Sequence, residues 1–188
     1  INTGLSLATG EVLTWLNSDD YYFDSEVLFR VEEYFNSHPQ VDIVYGRGVR
    51  VNEFGELIKE AFVNRDAQSL PQSLEHSLGI LQPSVFFRRS AFEKVGGLDP
   101  KWPLQFDYEL WIRFTQAGLN FGFLDGVLTK ATVHSNAKST KLRLEQLEEC
   151  LELVHSKFGY TPVAWIHRYA DFFLTKKDEK AEKAPVLD

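Results

Sequence analysis

The amino-acid sequence predicts an α/β protein with a mixed sheet flanked by helices. Short apolar runs typical of buried strands alternate along the chain with segments whose apolar residues recur at helical spacing. The 188 residues are 44% hydrophobic and 25% charged, which is the composition of a globular protein with a substantial core. Because this length is short for two full domains, we expect one domain and a small appendage.

The strands and helices follow from these patterns in chain order. We predict strands at residues 11–16, 41–45, 49–52, 56–60, 84–88, 120–124 and 127–133, with 49–60 forming a hairpin. We predict helices at residues 4–9, 90–95 and 107–116, and a further helix between Asp24 and Pro39. This last helix places Leu28, Val31 and Phe35 on its apolar face.

The pattern changes at about residue 138. Apolar residues then recur at helical spacing in two groups, which are Leu144, Leu147, Leu151, Val154 and Phe158, and then Val163, Ile166, Ala170 and Phe173. We predict an antiparallel helical hairpin over residues 138–175, packed on the main body or on a partner chain. The charged segment 176–188 has little to bury, so we expect it to be disordered.

Composition also excludes several classes of function. The net charge of −7 and the absence of a basic stripe argue against a nucleic-acid partner. The lone Cys150 excludes an internal disulfide and a cysteine zinc site, and it fits a reducing compartment. No run approaches the roughly 18 apolar residues of a membrane span, and no signal peptide is apparent. The chain begins with Ile1 and contains no Met, so we expect a part of a longer protein.

The first chemical motif is Asn17-Ser18-Asp19-Asp20, which follows the first predicted strand. In open α/β sheets, ligands bind beyond the carboxyl ends of strands. Two adjacent carboxylates there repel each other unless a cation offsets their charge, and Mg²⁺ and Mn²⁺ prefer such oxygen ligands. A polar turn explains the motif equally well, since Asn, Ser and Asp are ordinary turn residues.

The second motif is Asp107, at the start of a predicted helix whose apolar residues include Leu110, Trp111 and Phe114. This spacing places Asp107 on the inward face of the helix. Burial there would raise the pKa of the carboxyl group and make it a better proton acceptor. The alternative is an N-cap aspartate, which local sequence alone favours.

The third motif is His134 at the end of a predicted strand, followed by Ser135, Lys138 and Ser139. A neutral imidazole can complete a metal site, and Lys138 and the hydroxyl groups can hold a phosphate. A lone histidine more often has a structural role. Weaker candidates are the Gln82-Pro83-Ser84 turn and the Arg88-Arg89 pair, for which a turn and a solvated strand end are the alternatives.

Further motifs complete an ordered set along the chain. The set consists of Asn2-x-Gly4-x-x-x-Ala8-x-Gly10, Leu16-Asn17-Ser18-Asp19-Asp20, Val44-Tyr45-Gly46, Gln82, Phe87-Arg88-Arg89, Val95-Gly96-Gly97-Leu98-Asp99, Asp107-Tyr108-Glu109-Leu110-Trp111-Ile112-Arg113 and His134. From residue 1 to about 140, this set resembles the inverting family 2 glycosyltransferases of the GT-A fold. The resemblance implies that residues 1–137 are the acceptor-side portion of a GT-A-like domain without its N-terminal nucleotide-binding segment.

The resemblance implies a reaction and the roles of individual residues. A sugar would pass from a nucleoside-diphosphate sugar to an acceptor hydroxyl with inversion at the anomeric carbon. Asp19 matches the metal position of the family's DxD motif, with Mn²⁺ or Mg²⁺ as cofactor, and His134 is a second metal candidate. Asp107 matches the catalytic base. The donor-binding candidates are Asn2, Gly4, Asp20, His134 and Lys138, and the acceptor-side candidates are Gln82, Arg88 and Trp111.

The resemblance also implies partners and a location. The acceptor would be a saccharide or a lipid-linked saccharide in surface-polysaccharide synthesis, at the cytoplasmic, inner face of the membrane. A homodimer could form through the exposed sheet edge or the C-terminal helices. Two alternatives stay open: a non-catalytic domain that acts as an interaction module, and a nucleotidyltransferase. The base at Asp107 argues against the nucleotidyltransferase, whose phosphoryl-transfer site would place Arg or Lys near the phosphates.

Overall fold

The computed structural model describes residues 1–182. The predicted disordered segment is 176–188, and its last six residues, 183–188, lie outside the described residues. The strands are β1 Val12–Leu13, β2 Tyr21–Tyr22, β3 Ile43–Val51, β4 Leu57–Glu60, β5 Val85–Arg88 and β6 Phe121–Thr132. The helices are α1 Asn2–Leu7, α2 Val27–Ser37, α3 Leu70–Ser73, α4 Arg89–Val95, α5 Phe106–Gln116, α6 Lys138–Lys141, α7 Arg143–Phe158 and α8 Val163–Glu182.

Over residues 1–182, these six strands form one mixed sheet. The strand order is β1-β5-β3-β6-β2, and β4 pairs with β3 off this path. Strands β3 and β6 run parallel, whereas the other pairs are antiparallel. A glycine is required where β3 and β6 approach closely, since a Cβ on Gly46 would lie 2.9 Å from the backbone carbonyl oxygen of Leu124. The predicted mixed α/β sheet is confirmed.

Helices cover both faces of the sheet. On one face, Val27, Val31 and Phe35 of α2 pack with side chains of the central strands, such as Val44 and Phe86. On the other face lies the larger core, which contains buried residues of α1, α4, α5, α7 and α8 together with Trp15 and Phe87. The molecule is therefore a helix–sheet–helix sandwich, and the sheet positions the loops at its edge.

Two long strands differ from the sequence prediction. Residues 43–51 form one continuous strand where we expected two, and residues 121–132 do the same. Their parallel pairing extends from Ile43 with Phe121 to Val51 with Thr132, and its register shifts twice, on either side of Arg47. A local sequence pattern does not report this long-range pairing, which keeps each strand continuous through its polar and glycine residues.

The phase of α2 also differs from the prediction. Val27 is fully buried, whereas Leu28 is 53% exposed. Val31 and Phe35 lie in the core as expected. Residues 27, 31 and 35 recur at intervals of four, so they form the buried stripe and Leu28 points away from it.

The C-terminal helices share the larger core. Leu147, Leu153 and Val154 of α7 and Trp165 of α8 belong to the same buried cluster as the residues of α5. The turn between the two helices contains Gly159 at φ 80°, which suits the left-handed end of a helix. Helix α8 continues to Glu182, beyond the boundary at 175 that the sequence predicts. Among the described residues, no helix is long and apolar enough to cross a membrane.

The expected apolar face of α8 does not pack on the main body. Val163 is 63% exposed, Ile166 is 49% exposed and Phe173 is 48% exposed. Trp165 is instead the residue that enters the core, where its ring contacts Tyr108 and its Nε1 donates to the carbonyl of Glu75. Packing of the exposed face on a partner chain stays a prediction.

Candidate functional site

The loop between β1 and β2 carries the first predicted motif at the surface. Asn17 to Asp19 are exposed and Asp20 is partly buried. The amide of Asp20 donates to the carbonyl of Asn17 at 3.1 Å, which closes a turn. The turn expected from these residue types is therefore present. It also places two carboxylates side by side at the end of a short strand.

The C-terminal end of β6 contacts this loop. Nε2 of His134 lies 2.9 Å from Oδ2 of Asp19, although the two residues are 115 positions apart. The backbone amide of Thr132 donates to Oδ1 of Asp20 at 3.0 Å, and the Thr132 hydroxyl donates to the Asp19 carbonyl. These contacts bring two of the predicted motifs into one site.

Asp20 is held by a network of polar side chains. Nδ2 of Asn17 donates to Oδ2 of Asp20 at 2.9 Å and to Oε1 of Gln82 at 3.1 Å. Gln82 in turn donates from Nε2 to the carbonyl of Trp15 at 2.9 Å. Burial raises the pKa of Asp20, while the hydrogen bonds from Asn17 and Thr132 act in the opposite direction. The network fixes the carboxylate in one orientation.

Asp19 and His134, which contact each other directly, could hold a divalent cation that takes most of its ligands from substrate. Both oxygens of Asp20 accept hydrogen bonds, which leaves Oδ2 of Asp19 and Nε2 of His134 as the facing donors. Their 2.9 Å separation is that of a direct hydrogen bond, and a carboxylate oxygen is a ligand that Mn²⁺ and Mg²⁺ prefer. Among residues 1–175, whose side chains the structure describes, no cluster of three or more His, Cys, Asp or Glu side chains is suited to a metal.

Helix α5 carries the second motif. Gln105 is the N-cap residue and Asp107 lies inside the first turn, so the N-cap interpretation of Asp107 is wrong. Oδ1 of Asp107 accepts a hydrogen bond from the amide of Tyr108 at 2.8 Å. Burial raises the pKa of Asp107, and this backbone hydrogen bond acts against the rise. The inward orientation expected for Leu110, Trp111 and Phe114 agrees with their burial.

Aromatic contacts join the two motifs. The rings of Trp15 and Trp111 stack at 5.9 Å with an interplanar angle of 13°, and the ring of Phe106 lies 6.1 Å from that of Trp15. Trp15 precedes the Asn17 loop, and Phe106 precedes Asp107 in the chain. The stack therefore sets the place of the loop relative to the start of α5. Trp111 is 2% exposed, so in this structure its ring supports the site from within the core and does not face an acceptor.

Two other candidate site residues, Asn2 and Arg88, bind backbone groups that hold the fold together. Nδ2 of Asn2 donates to the Leu98 carbonyl and Oδ1 accepts from the Leu98 amide, which ties α1 to the loop after α4. Arg88 donates to the carbonyls of Val41 and Phe35, so its guanidinium group anchors the end of α2. The remaining donor-binding candidates, Gly4 and Lys138, are exposed.

Sequence reasoning missed one buried charge cluster beside α5. Glu109 is fully buried, with Arg113 at 2.6 Å and Nζ of Lys157 at 2.6 Å. Arg113 also donates to the carbonyls of Val95 and Gly97 at 2.6 Å each. The i,i+4 spacing of Glu109 and Arg113 was a usable signal, but nothing in the sequence pointed to Lys157.

The sequence of this chain is similar to those of known proteins. A family model described as glycosyl transferase family 2 matches residues 1–96. An uncharacterized glycosyltransferase of Rickettsia typhi is 28% identical over 165 residues, which cover 79% of this chain and 48% of that protein. A PGL/p-HBAD biosynthesis glycosyltransferase of Mycobacterium bovis is 27% identical over 113 residues, which cover 60% of this chain and 41% of that protein. The chain thus spans less than half the length of either relative.

Solved structures share the fold. Residues 1–349 of TarS from S. aureus, in complex with UDP, superpose with a TM-score of 0.55 at 19% identity, covering 92% of this chain and 48% of that one. The mannosyltransferase PcManGT from Pyrobaculum calidifontis, in complex with GDP-Man and Mn²⁺, gives 0.58 at 16% identity, covering 87% and 44%. At these identities the likeness establishes the fold alone, and it confirms the GT-A-like architecture predicted from the sequence.

Proposed function

The chain belongs to glycosyl transferase family 2, and from that premise we propose that it transfers a sugar from a nucleoside-diphosphate sugar to an acceptor hydroxyl, with inversion. The observation that carries this proposal is the contact of Asp19 with His134 beside the stacked Trp15 and Trp111, which lead to the helix of Asp107. Solved neighbours of the same fold contain UDP, or GDP-Man with Mn²⁺, which supports a nucleotide-sugar donor.

Asp19 and His134 are the residues proposed to hold Mn²⁺ or Mg²⁺. When bound, such a cation offsets the negative charge that develops on the leaving diphosphate. Thr132 and Asn17 keep Asp20 beside this site through hydrogen bonds of 3.0 and 2.9 Å. Asp20 is therefore proposed to orient the donor or the water molecules around it rather than to act as a principal ligand.

Asp107 is the proposed catalytic base. An acceptor hydroxyl has a high pKa, so it must lose its proton as it attacks the anomeric carbon. Burial raises the pKa of Asp107 and brings its proton affinity closer to that of a useful base at neutral pH. The amide of Tyr108 holds one carboxylate oxygen in place, which orients the group before the acceptor binds.

The acceptor is proposed only as a chemical class. A saccharide or lipid-linked saccharide, in surface-polysaccharide synthesis at the inner face of the membrane, is inferred by analogy with the family. Self-association is proposed through α8, where the apolar side chains of Val163, Ile166 and Phe173 are exposed. This same surface supports the alternative function, a non-catalytic interaction module.

The test is transfer by the full-length protein. Nucleotide sugars would be screened for Mn²⁺- or Mg²⁺-dependent transfer and hydrolysis, for the wild type and for Asp19→Asn. Asp171→Asn, which changes an exposed carboxylate on α8, is the matched control. We expect cation-dependent turnover in the wild type and the control and its loss in Asp19→Asn. Turnover of no nucleotide sugar by the folded wild type would favour the interaction module.

A further inference from the structure

A carboxylate on α7 contacts the turn that leads into α5. Oε1 of Glu149 accepts hydrogen bonds from the backbone amides of Leu104 at 2.8 Å and Gln105 at 2.9 Å. Nε2 of Gln105 donates to the carbonyl of Gln146, one turn earlier on α7, at 2.8 Å. Three hydrogen bonds therefore join α7 to the two residues that precede α5.

The hydrogen bonds from Glu149 hold the backbone of Leu104 and Gln105 in one position. Gln105, the N-cap residue of α5, is only 9% exposed, so its amide would have few other partners. Hydrogen bonds from amides to an ionised carboxylate are short and stronger than those between neutral groups. One carboxylate oxygen of Glu149 accepts hydrogen bonds from two successive amides. The position of Glu149 therefore sets the direction of the chain at 104–105.

Helix α7 also holds α5 just beyond Asp107. Nζ of Lys157 lies 2.6 Å from Oε1 of the fully buried Glu109. Cys150, the residue after Glu149, is 1% exposed, and burial raises the pKa of its thiol to about 12. Helix α7 therefore contacts the chain on both sides of Asp107. Glu149 contacts residues 104–105 before it, and Lys157 contacts Glu109 after it.

We infer that Glu149 is a positioning residue for Asp107, acting through the backbone of Leu104 and Gln105. This inference rests on the proposed function, in which Asp107 accepts the proton of the acceptor hydroxyl. A displacement of about 1 Å at a reacting group can cost about 100-fold in rate. Loss of the Glu149 contacts would therefore lower the rate of the chemical step without weakening the binding of the donor, because Asp19 and His134 lie in the β1–β2 loop and after β6 rather than on α5 or α7.

The experiment compares Glu149→Ala, Glu149→Gln and Glu149→Asp in the full-length protein, with Glu152→Ala as the control from the exposed side of α7. We expect Glu149→Ala to lower kcat at least about 10-fold with an unchanged KM for the nucleotide sugar. Glu149→Gln keeps an oxygen that accepts the amides, so it should retain kcat within about threefold. Glu152→Ala should match the wild type.

Two further readouts separate positioning from general stability. Amide exchange at Leu104 and Gln105 should be faster in Glu149→Ala than in Glu152→Ala. In an Asp107→Asn background, Glu149→Ala should cause no additional loss of kcat, because the two residues act on one step. If Glu149→Ala does not fold, Glu149→Asp serves instead, since it keeps the charge but withdraws the carboxylate from the amides.

The outcomes distinguish this inference from the proposed function. A folded Glu149→Ala protein with wild-type kcat overturns the positioning role, as does an equal loss of kcat with and without Asp107. Either result leaves the proposed function intact. Full activity in Asp107→Asn alone overturns the proposed base, and the role of Glu149 as its positioning residue with it.

Discussion

The indole rings of Trp15 and Trp111 stack with their centroids 5.9 Å apart and their planes at 13°. Trp15 lies two residues before Asn17, and Trp111 lies one helical turn after Asp107. The stack therefore connects the loop of the proposed metal ligands to the helix of the proposed base. Sequence spacing alone gives no hint of this contact, because it depends on how α5 packs against the loop after β1.

The first prediction concerns the distance between the two carboxylates. We expect Asp19 and Asp107 to face one cleft about 6–10 Å apart, which leaves room for a sugar ring and a nucleophile. A crystal structure with a bound nucleotide sugar and Mn²⁺ would measure this separation. If the two carboxylates lay on opposite faces of the domain, the assignment of both residues to one reaction would be wrong.

The second prediction concerns the stack itself. Trp111 is 2% exposed, so Trp111→Ala should lower the free energy of unfolding by about 3–5 kcal/mol. Denaturant titration measures this change. Phe54→Ala is the control, because Phe54 is 82% exposed and its loss should change stability by less than about 0.5 kcal/mol. A similar small effect at Trp111 would show that the ring does not hold the site together.

Much of the fold could be predicted from local patterns. Helices α4, α5 and α7 and strand β5 lie within a few residues of their predicted positions. Buried stripes and turn residues specify such elements locally. The long pairing of β3 with β6 could not be predicted in this way, since its register depends on residues about 80 positions apart in the chain.

The residues of the candidate site also fall into two groups, those that the sequence could predict and those that it could not. Asp19, Asp107 and His134 could be selected because they belong to an ordered set of motifs that resembles a known family, whereas each local pattern alone also fits a turn, an N-cap or a structural histidine. Thr132 and Glu149 do not stand out. The Thr132 hydroxyl donates to a backbone carbonyl, and Glu149 accepts from backbone amides, in both cases on distant segments. Almost every residue has a backbone amide, so the sequence does not show which amides a side chain will bind. A side chain with this role therefore cannot be distinguished from other polar residues in the sequence.

The third prediction concerns the metal site. Asp19→Ala in the full-length protein should abolish Mn²⁺-dependent binding of the nucleotide sugar, because it removes the proposed ligand that faces His134 at 2.9 Å. The fold should stay intact, since Asp19 is exposed. Isothermal titration with and without Mn²⁺ measures the binding, and circular dichroism checks the fold. Donor affinity equal to that of the wild type would exclude Asp19 as a ligand.

The fourth prediction follows from the raised pKa of Asp107. Its ordinary value is 3.8, and burial raises it in the folded state. Between the unfolded and folded pKa values the folded protein binds more protons than the unfolded chain, so stability falls as the pH rises through this window and the loss is complete above the folded-state pKa. Asp107→Asn removes the buried charge while keeping an oxygen for the amide of Tyr108.

We therefore expect Asp107→Asn to melt at a higher temperature than the wild type at pH 7, with the difference shrinking as the pH falls toward about 4. Calorimetry at a series of pH values measures this difference. Asp125→Asn is the control, because the side chain of Asp125 is 71% exposed. A lower melting temperature for Asp107→Asn at pH 7 would mean that the ionised carboxylate stabilises the fold.

The most direct test of the central claim is the rate of sugar transfer by Asp107→Asn in the complete protein. Asparagine preserves the shape of the side chain and its hydrogen bond to the Tyr108 amide, but it cannot accept the proton of an acceptor hydroxyl. We predict a fall in kcat of about 100-fold or more, with donor binding unchanged. A kcat within a few-fold of the wild type would contradict the account and remove Asp107 from the mechanism.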